Sequence, residues 1–588
     1  MGYKGWIILG FWLWIGLVPL LAQKDATTRP PLDIYNEALD SGNYTRGLQE
    51  LSDLIALEPL NSDAYALRAS LHLRQGDYAA GLDDTEMALL IHHTNAEAYF
   101  TQGDIYRVQE QDDAAITAYT MAITHDPTYS AAYNNRGIIY YDNGDYDEAF
   151  SDYETALSVN ADNAYLYHRN MGLVYAAQGL YDDAITAYTR SIAADDRYYN
   201  AYVSRGDAYE ALGDYENARD DYLTAIEIDN GFSYPYRRLG DVQADLGAFD
   251  AAIDAYTTAI ALQADYTFAY NNRGLVYLDL GQYANARDDF STVIDLEPDN
   301  DLAYYNRAIA HDKLGQFQNA LDDYETAIDL EPNNPDAYYN RGSIYYDLGD
   351  YELALADFER TLAFEPNNAF AHNNRGNTYR ALGRYTLALA DYNDAIAINP
   401  DYALAYNNRG LAQASLGNLD AALADFAMSI DLDPDFLDAW FNRGSEYYVQ
   451  GLQDEALADF SAYIQRGGLD ALAFLRRGNI YYEQGDFANA LKDYNALVEL
   501  APDEAVGYYH RAHVFYQLED YPQAIENYTL ALETDPDYTL ANWGLGNAHI
   551  ALGNANQAYE NYCVYIEQAE APVATVTDYV TTTFGGCN

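Results

Sequence analysis

The chain has little positive charge. Across 588 residues, 31 Lys and Arg stand against 92 Asp and Glu, a formal charge of −61, and only four of the basic residues are lysines. A surface of that sign repels polyanions, which excludes nucleic acid as a partner. Two readings of the acidity stay open: solubility, including adaptation to salty surroundings, or attraction of a cationic peptide or a divalent metal. Cysteine is scarcer still. Cys563 and Cys587, both near the C-terminus, are the only two, so no disulfide framework runs through the chain. In an exported protein such a pair favours one disulfide pinning the tail to the last helix, with two free thiols as the alternative.

Motifs of catalysis are missing as well. There is no glycine-rich phosphate loop, nucleophile elbow, HExxH or CxxC, and no alternating aspartate loop that would cradle calcium. His510 and His513 share a helical face without a carboxylate in register, a poor metal set. No cofactor and no enzymatic activity are expected. The one long apolar run, Trp6 to Leu21, follows a single lysine and precedes Ala22, which reads as a secretory leader over 1–23; an uncleaved anchor is the alternative. A secreted, cell-surface or periplasmic location follows, with membrane contact only if the leader is retained.

What fills the chain is one repeating segment. DAYYNRGSIYYDLGDYELALADFERTLAFEPNN, 336–368, returns with small edits, and a small residue marks each copy: Ala69, Gly103, Gly137, Gly172, Gly206, Gly240, Gly274, Ala308, Gly342, Gly376, Gly410, Gly444, Gly478, Ala512 and Gly546. Every step is 34 residues except the 35 between Gly137 and Gly172, where one residue is inserted near Ala161 to Asn163. Apolar positions within a copy follow helical spacing, broken at Gly349 and again at Pro366, which predicts two antiparallel helices per copy. Gly342 falls inside the first helix at a cost of about 1 kcal/mol against alanine, which implies close packing; Ala354 is the expected matching small residue. Repeats of this length stack on their neighbours into one elongated array.

With Tyr338, Gly342, Tyr345, Ala354, Phe358, Thr361 or Leu362, and Pro366 in register, the segment resembles the tetratricopeptide repeat. The resemblance implies an all-α, right-handed superhelical solenoid whose first helices line a concave groove, and a protein- or peptide-binding role. It resembles in particular the long acidic arrays of some bacteria. The expected layout is leader 1–23, linker 24–32, a degraded first repeat 33–61, fifteen tandem units over 62–572, and a tail over 573–588 that is rich in Val, Thr, Tyr and Phe and reads as extended. The tail is expected to fold back over the final hairpin; donating itself to another copy is the alternative.

An arginine precedes most of the marker residues. If each hairpin folds about its turn, Arg341 faces Asp357, and the same pairing joins Arg68 with Asp84, Arg136 with Asp152, Arg205 with Asp221, Arg273 with Asp289, Arg307 with Asp323, Arg375 with Asp391, Arg409 with Asp425, Arg443 with Asp459 and Arg477 with Asp493. Where the Arg is lost the Asp is lost too: Gln102, Met171 and Leu239 stand opposite Ala118, Ala187 and Ala255. These charges are therefore expected to satisfy each other inside the hairpin.

One residue earlier lies an asparagine series: Asn135, Asn170, Asn272, Asn306, Asn340, Asn374, Asn408 and Asn442. An amide can hold a peptide backbone through donor and acceptor together, and the tetratricopeptide resemblance implies a concave-face ladder at this position. Bridging between adjacent first helices is the other reading. Tyr305, Tyr339 and Tyr346 are expected beside the series. Two functions stay open: a scaffold binding a protein or extended peptide, a cationic one included, or a structural component that assembles end to end.

Overall fold

The computed structural model describes residues 30–587, so the expected leader and most of the expected linker lie outside it. Among the described residues there are thirty-three α-helices, one 3-10 turn and no strand. No described helix is long and apolar enough to cross a membrane. Contacts divide the chain into two compact units meeting at Pro298 and Asp299. The first stacks eight helix hairpins, from Pro30–Ser41 with Tyr44–Leu57 to Thr267–Asp279 with Tyr283–Leu296. The second stacks eight more, from Asp301–Lys313 with Phe317–Leu330 to Thr539–Ala551 with Ala555–Gln568, and adds a closing helix, Ala574–Phe584.

One hairpin shows why these residues fold so. Pro335 opens the helix Pro335–Leu348, and the Asn334 side chain accepts from the Ala337 amide, satisfying a donor the helix cannot. Gly349, at φ +83°, ends it in the left-handed conformation, where an L side chain is strained. The partner helix Tyr351–Phe364 stops just before Pro366. A hairpin alone has too little interior to hold itself. Ala308, Leu321, Tyr324 and Ile328 of one hairpin therefore share a core with Ala337, Tyr338 and Ile344 of the next. The extra residue of the single 35-residue step falls at the 3-10 turn Ala161–Asn163.

Three expectations need correction. The close neighbours of Gly342 are Asp357 and the Phe358 ring rather than Ala354: a Cβ there would lie 3.1 Å from both Asp357 Cβ and Phe358 Cε1. The first described helix, Pro30–Ser41, takes in the last residues of the expected linker 24–32, and prolines suit a first turn, where the missing N–H costs nothing. The tail over 573–588 is not extended. Val576 and Val580, one helical turn apart, bury against Tyr562 and Tyr565, and Phe584 packs on Tyr559. That packing, with the Cys563–Cys587 disulfide, outweighs the modest helix penalty of β-branched residues, a few tenths of a kcal/mol each. The tail does lie over the final hairpin, as a helix.

Within each unit the first helices of successive hairpins also touch one another, as Ser62–Gln75 touches Ala96–Val108 and Pro335–Leu348 touches Ala369–Ala381. This puts the first helices on the inner side of each stack.

Candidate functional site

The structure brings together each of the ten Arg–Asp pairs. In all of them Nε and Nη2 donate to the two carboxylate oxygens at 2.5–2.9 Å. The fork geometry fits a planar guanidinium against a carboxylate. These aspartates are buried. The Asp152 bond raises the Arg136 pKa although burial opposes it. At Asp221 burial is the larger influence and raises the carboxyl in spite of Arg205; the guanidinium cannot give up its proton, so the pair remains ionic.

Two further contacts of this arginine escaped the sequence reading. The remaining amino group often reaches the preceding hairpin: Arg136 Nη1 donates to Thr120 at 2.9 Å, Arg273 to Thr257 at 2.8 Å and Arg409 to Asn393 at 2.7 Å. An aromatic three residues earlier also faces the guanidinium, as Tyr406 does for Arg409 and Trp440 for Arg443, each 5.2 Å away. Both were legible in principle, as a Ser, Thr or Asn two residues past the Asp and as the aromatic before the Asn-Arg pair. The arginine thus locks its own hairpin and fastens it to the one before.

The asparagines also bond across hairpins. Asn135 donates to Asp104 and Asn272 to Asp241, at 2.9 and 2.8 Å. Asn340 donates to the Tyr305 hydroxyl and Asn374 to Tyr339, at 3.1 and 2.9 Å. Asn170, Asn408 and Asn442 donate to Asn134, Asn373 and Asn407, at 2.9, 3.0 and 2.9 Å. Several accept as well, Asn374 from Asn373 at 3.2 Å. Asn306 is half-buried on the same register.

The side chains around this series differ between the units. In the first unit, inner-face carboxylates dominate: Tyr129 donates to Glu97 at 2.6 Å and Tyr119 to Asp104 at 2.6 Å. Burial raises the pKa of both carboxyls. In the second unit the inner face is largely tyrosine and amide, with Tyr305, Tyr339 and Tyr346 half-buried. Near its end His510 stacks on Tyr494, centroids 5.4 Å apart, and His513 lies 2.9 Å from the Tyr528 hydroxyl. Burial lowers the His510 pKa to about 4. One group among the described residues, His372 with Asp391 and Asp394, could approach a metal ion. Both Asp391 oxygens already accept from Arg375, so an ion pair fits this arrangement better.

The hairpin geometry, the period and the family models agree. Models described as TPR repeat or tetratricopeptide repeat match 32–91, 128–197, 169–231, 240–281, 274–315, 335–368, 403–436 and 512–553, among other stretches. The chain belongs to the tetratricopeptide repeat family. Tetratricopeptide repeat solenoids are a non-catalytic scaffold class, consistent with the expectation of no enzymatic activity. Solved structures similar to part of it include a MamA protein, 26% identical over 29% of this chain and 93% of that one, with a TM-score of 0.28. YrrB, described as a TPR protein with an unusual peptide-binding site, is 27% identical over 31% of this chain and 95% of its own, TM-score 0.29. A tetratricopeptide repeat protein from Parabacteroides merdae is 22% identical over 42% and 98%, TM-score 0.36. Among curated proteins none matches.

Proposed function

We propose that this tetratricopeptide repeat array is a scaffold that holds a protein partner, in extended form, along the inner face of its first helices. The observation that carries the reading is where polar capacity remains. The repeat arginines are spent inside the hairpins, whereas Tyr305, Tyr339 and Tyr346 with Asn272, Asn306, Asn374 and Asn442 stay half-buried on the inner face. Tyrosine supplies flat contact area at low entropic cost, and amides hold backbone without reading side chains. The inner-face carboxylates Glu97 and Asp104 support a cationic stretch of partner on the first unit. Action outside the cytoplasm is supported by the leader-like N-terminal sequence and the disulfide. End-to-end assembly is disfavoured at one end, because the closing helix covers the last hairpin.

Capture from the extracellular fraction of the native source tests the reading. The full chain retains a partner, and a variant carrying Asn340→Ala, Asn374→Ala and Tyr346→Ala, checked for folding by circular dichroism, loses it. Equal capture by both would refute the inner face as the site.

A further inference from the structure

The first turn of each first helix sets one residue on the rim of the inner face. In the second unit this register reads Asp336, Phe370, Leu404 and Asp438 on four consecutive hairpins, and their first helices, from Pro335–Leu348 to Leu437–Val449, touch in succession. Contacts show that the register looks inward. Tyr234, which holds it in the first unit, donates to Asp207 of the preceding first helix at 3.1 Å. Burial raises the pKa of the inner-face Tyr305, and the charge of Asp336 raises it further. Phe370 lies edge-on to Tyr402, centroids 5.2 Å apart.

These four side chains are open to a ligand. Phe370 is 54% and Leu404 37% exposed. Asp336 and Asp438 are exposed too, and neither joins an ion pair among the described residues. An acid in a first turn also suits the positive end of its helix, so the two acids alone assign nothing. Two exposed apolar groups bracketed by unpaired acids, one residue per hairpin, complement a segment that is apolar in the middle and cationic at both ends.

The step between hairpins selects the conformation of that segment. Helices in contact have axes about 8–10 Å apart. A β-strand rises about 3.3 Å per residue with side chains alternating, so residues on one face fall about 6.6 or 13 Å apart and miss that step. Polyproline II rises about 3.1 Å per residue with three residues per turn, and every third side chain returns to one face after about 9 Å. An α-helix returns after about 10.5 Å, or seven residues, but its backbone is satisfied internally. The polyproline II backbone has no internal hydrogen bonds and can use the half-buried amides Asn374 and Asn442 beside the register.

We infer that the rim from Asp336 to Asp438 holds a polyproline II segment of the partner with four anchors at every third residue: Arg or Lys, two apolar residues, then Arg or Lys. Phe370 and Leu404 pack on the apolar pair and the two aspartates meet the cations. The inference rests on the inner-face reading above and adds to it a conformation, a spacing and a charge pattern.

Fluorescence anisotropy on the full chain tests it. The probe is a proline-rich decapeptide with Arg at its first and tenth residues and Leu at its fourth and seventh. Three comparison peptides carry the four anchors at every second residue, at every seventh residue of an alanine-based helix, or at every third with Asp in place of Arg. Wild type is expected to bind the probe about ten-fold or more tighter than each of them, the worth of one partly buried apolar anchor. Phe370→Ser with Leu404→Ser, checked for folding by circular dichroism, is expected to abolish probe binding. Asp336→Lys with Asp438→Lys is expected to invert the preference between Arg-ended and Asp-ended peptides; if that variant does not fold, Asp336→Asn with Asp438→Asn is expected to erase the preference. Equal or tighter binding of the every-second or every-seventh spacing overturns the inference, as does a charge preference that these substitutions leave in place. A wild type that binds no probe overturns it too. Partner capture that still depends on Asn340, Asn374 and Tyr346 would then leave the inner-face reading standing, and capture independent of them would remove both.

Discussion

The side-chain amide of Asn374 donates to the hydroxyl of Tyr339 in the preceding hairpin, 2.9 Å away. It joins two first helices, so the residue contributes to stability before any partner arrives. Asn374→Ala is expected to cost about 1 kcal/mol, one neutral hydrogen bond, and Tyr339→Phe about as much. The double variant should cost less than the sum, which urea unfolding of the four proteins would show. Additive costs would mean the bond contributes nothing.

Asp357 receives both forks of Arg341 at 2.8 Å. Its replacement by Ala strands a largely buried guanidinium and is expected to cost about 3 kcal/mol, whereas Arg341→Met with Asp357→Leu should cost clearly less. A double-mutant cycle in urea provides the comparison. Coupling near zero would remove these pairs from the account of why the hairpins close.

The hairpins and the Arg–Asp pairs were legible because each rests on contacts at a fixed sequence offset repeated many times. Loss of Asp84-type residues wherever the Arg is missing, as at Leu239 and Ala255, gave the pairing its own control. The tail was not legible. Its β-branched composition argued for extended chain, and only the packing of Val576 and Val580 on Tyr562 and Tyr565 made it a helix. Nor could the series from Asn135 to Asn442 be resolved by pattern alone, since a groove amide and a bridging amide require the same residue type at the same spacing. Their bonds to Asp104, Tyr305 or Asn407 depend on what the neighbouring hairpin presents.

Cys563 and Cys587 close a loop with a sequence separation of 24. Reduction, or Cys587→Ser, is expected to lower the stability of the last hairpin by about 3 kcal/mol. Because each repeat contacts only its neighbours, the loss should stay local. Hydrogen exchange in native conditions should speed up over 555–584 and not over 130–160. Uniform acceleration along the chain would contradict a local cap.

His510 is neutral in the fold, burial having lowered its pKa to about 4. A depressed folded pKa stabilises the neutral form, so this contribution is complete above the ordinary histidine range and is lost as pH falls from about 6.5 towards 4, up to about 3 kcal/mol. Many carboxylates titrate in the same window, and the informative quantity is a difference. Between pH 7 and about pH 4.5, wild type should lose more stability than His510→Asn. Parallel losses would show that His510 is not the group responsible.

The inner face is the centre of the functional account, and site-specific photocrosslinking reads it directly. A benzophenone side chain at position 346, on the inner face in place of Tyr346, is compared with one at position 387, where Leu387 is 48% exposed on a second helix. In the extracellular fraction, position 346 is predicted to yield a crosslinked partner and position 387 none. Crosslinking from 387 with none from 346 would contradict the account.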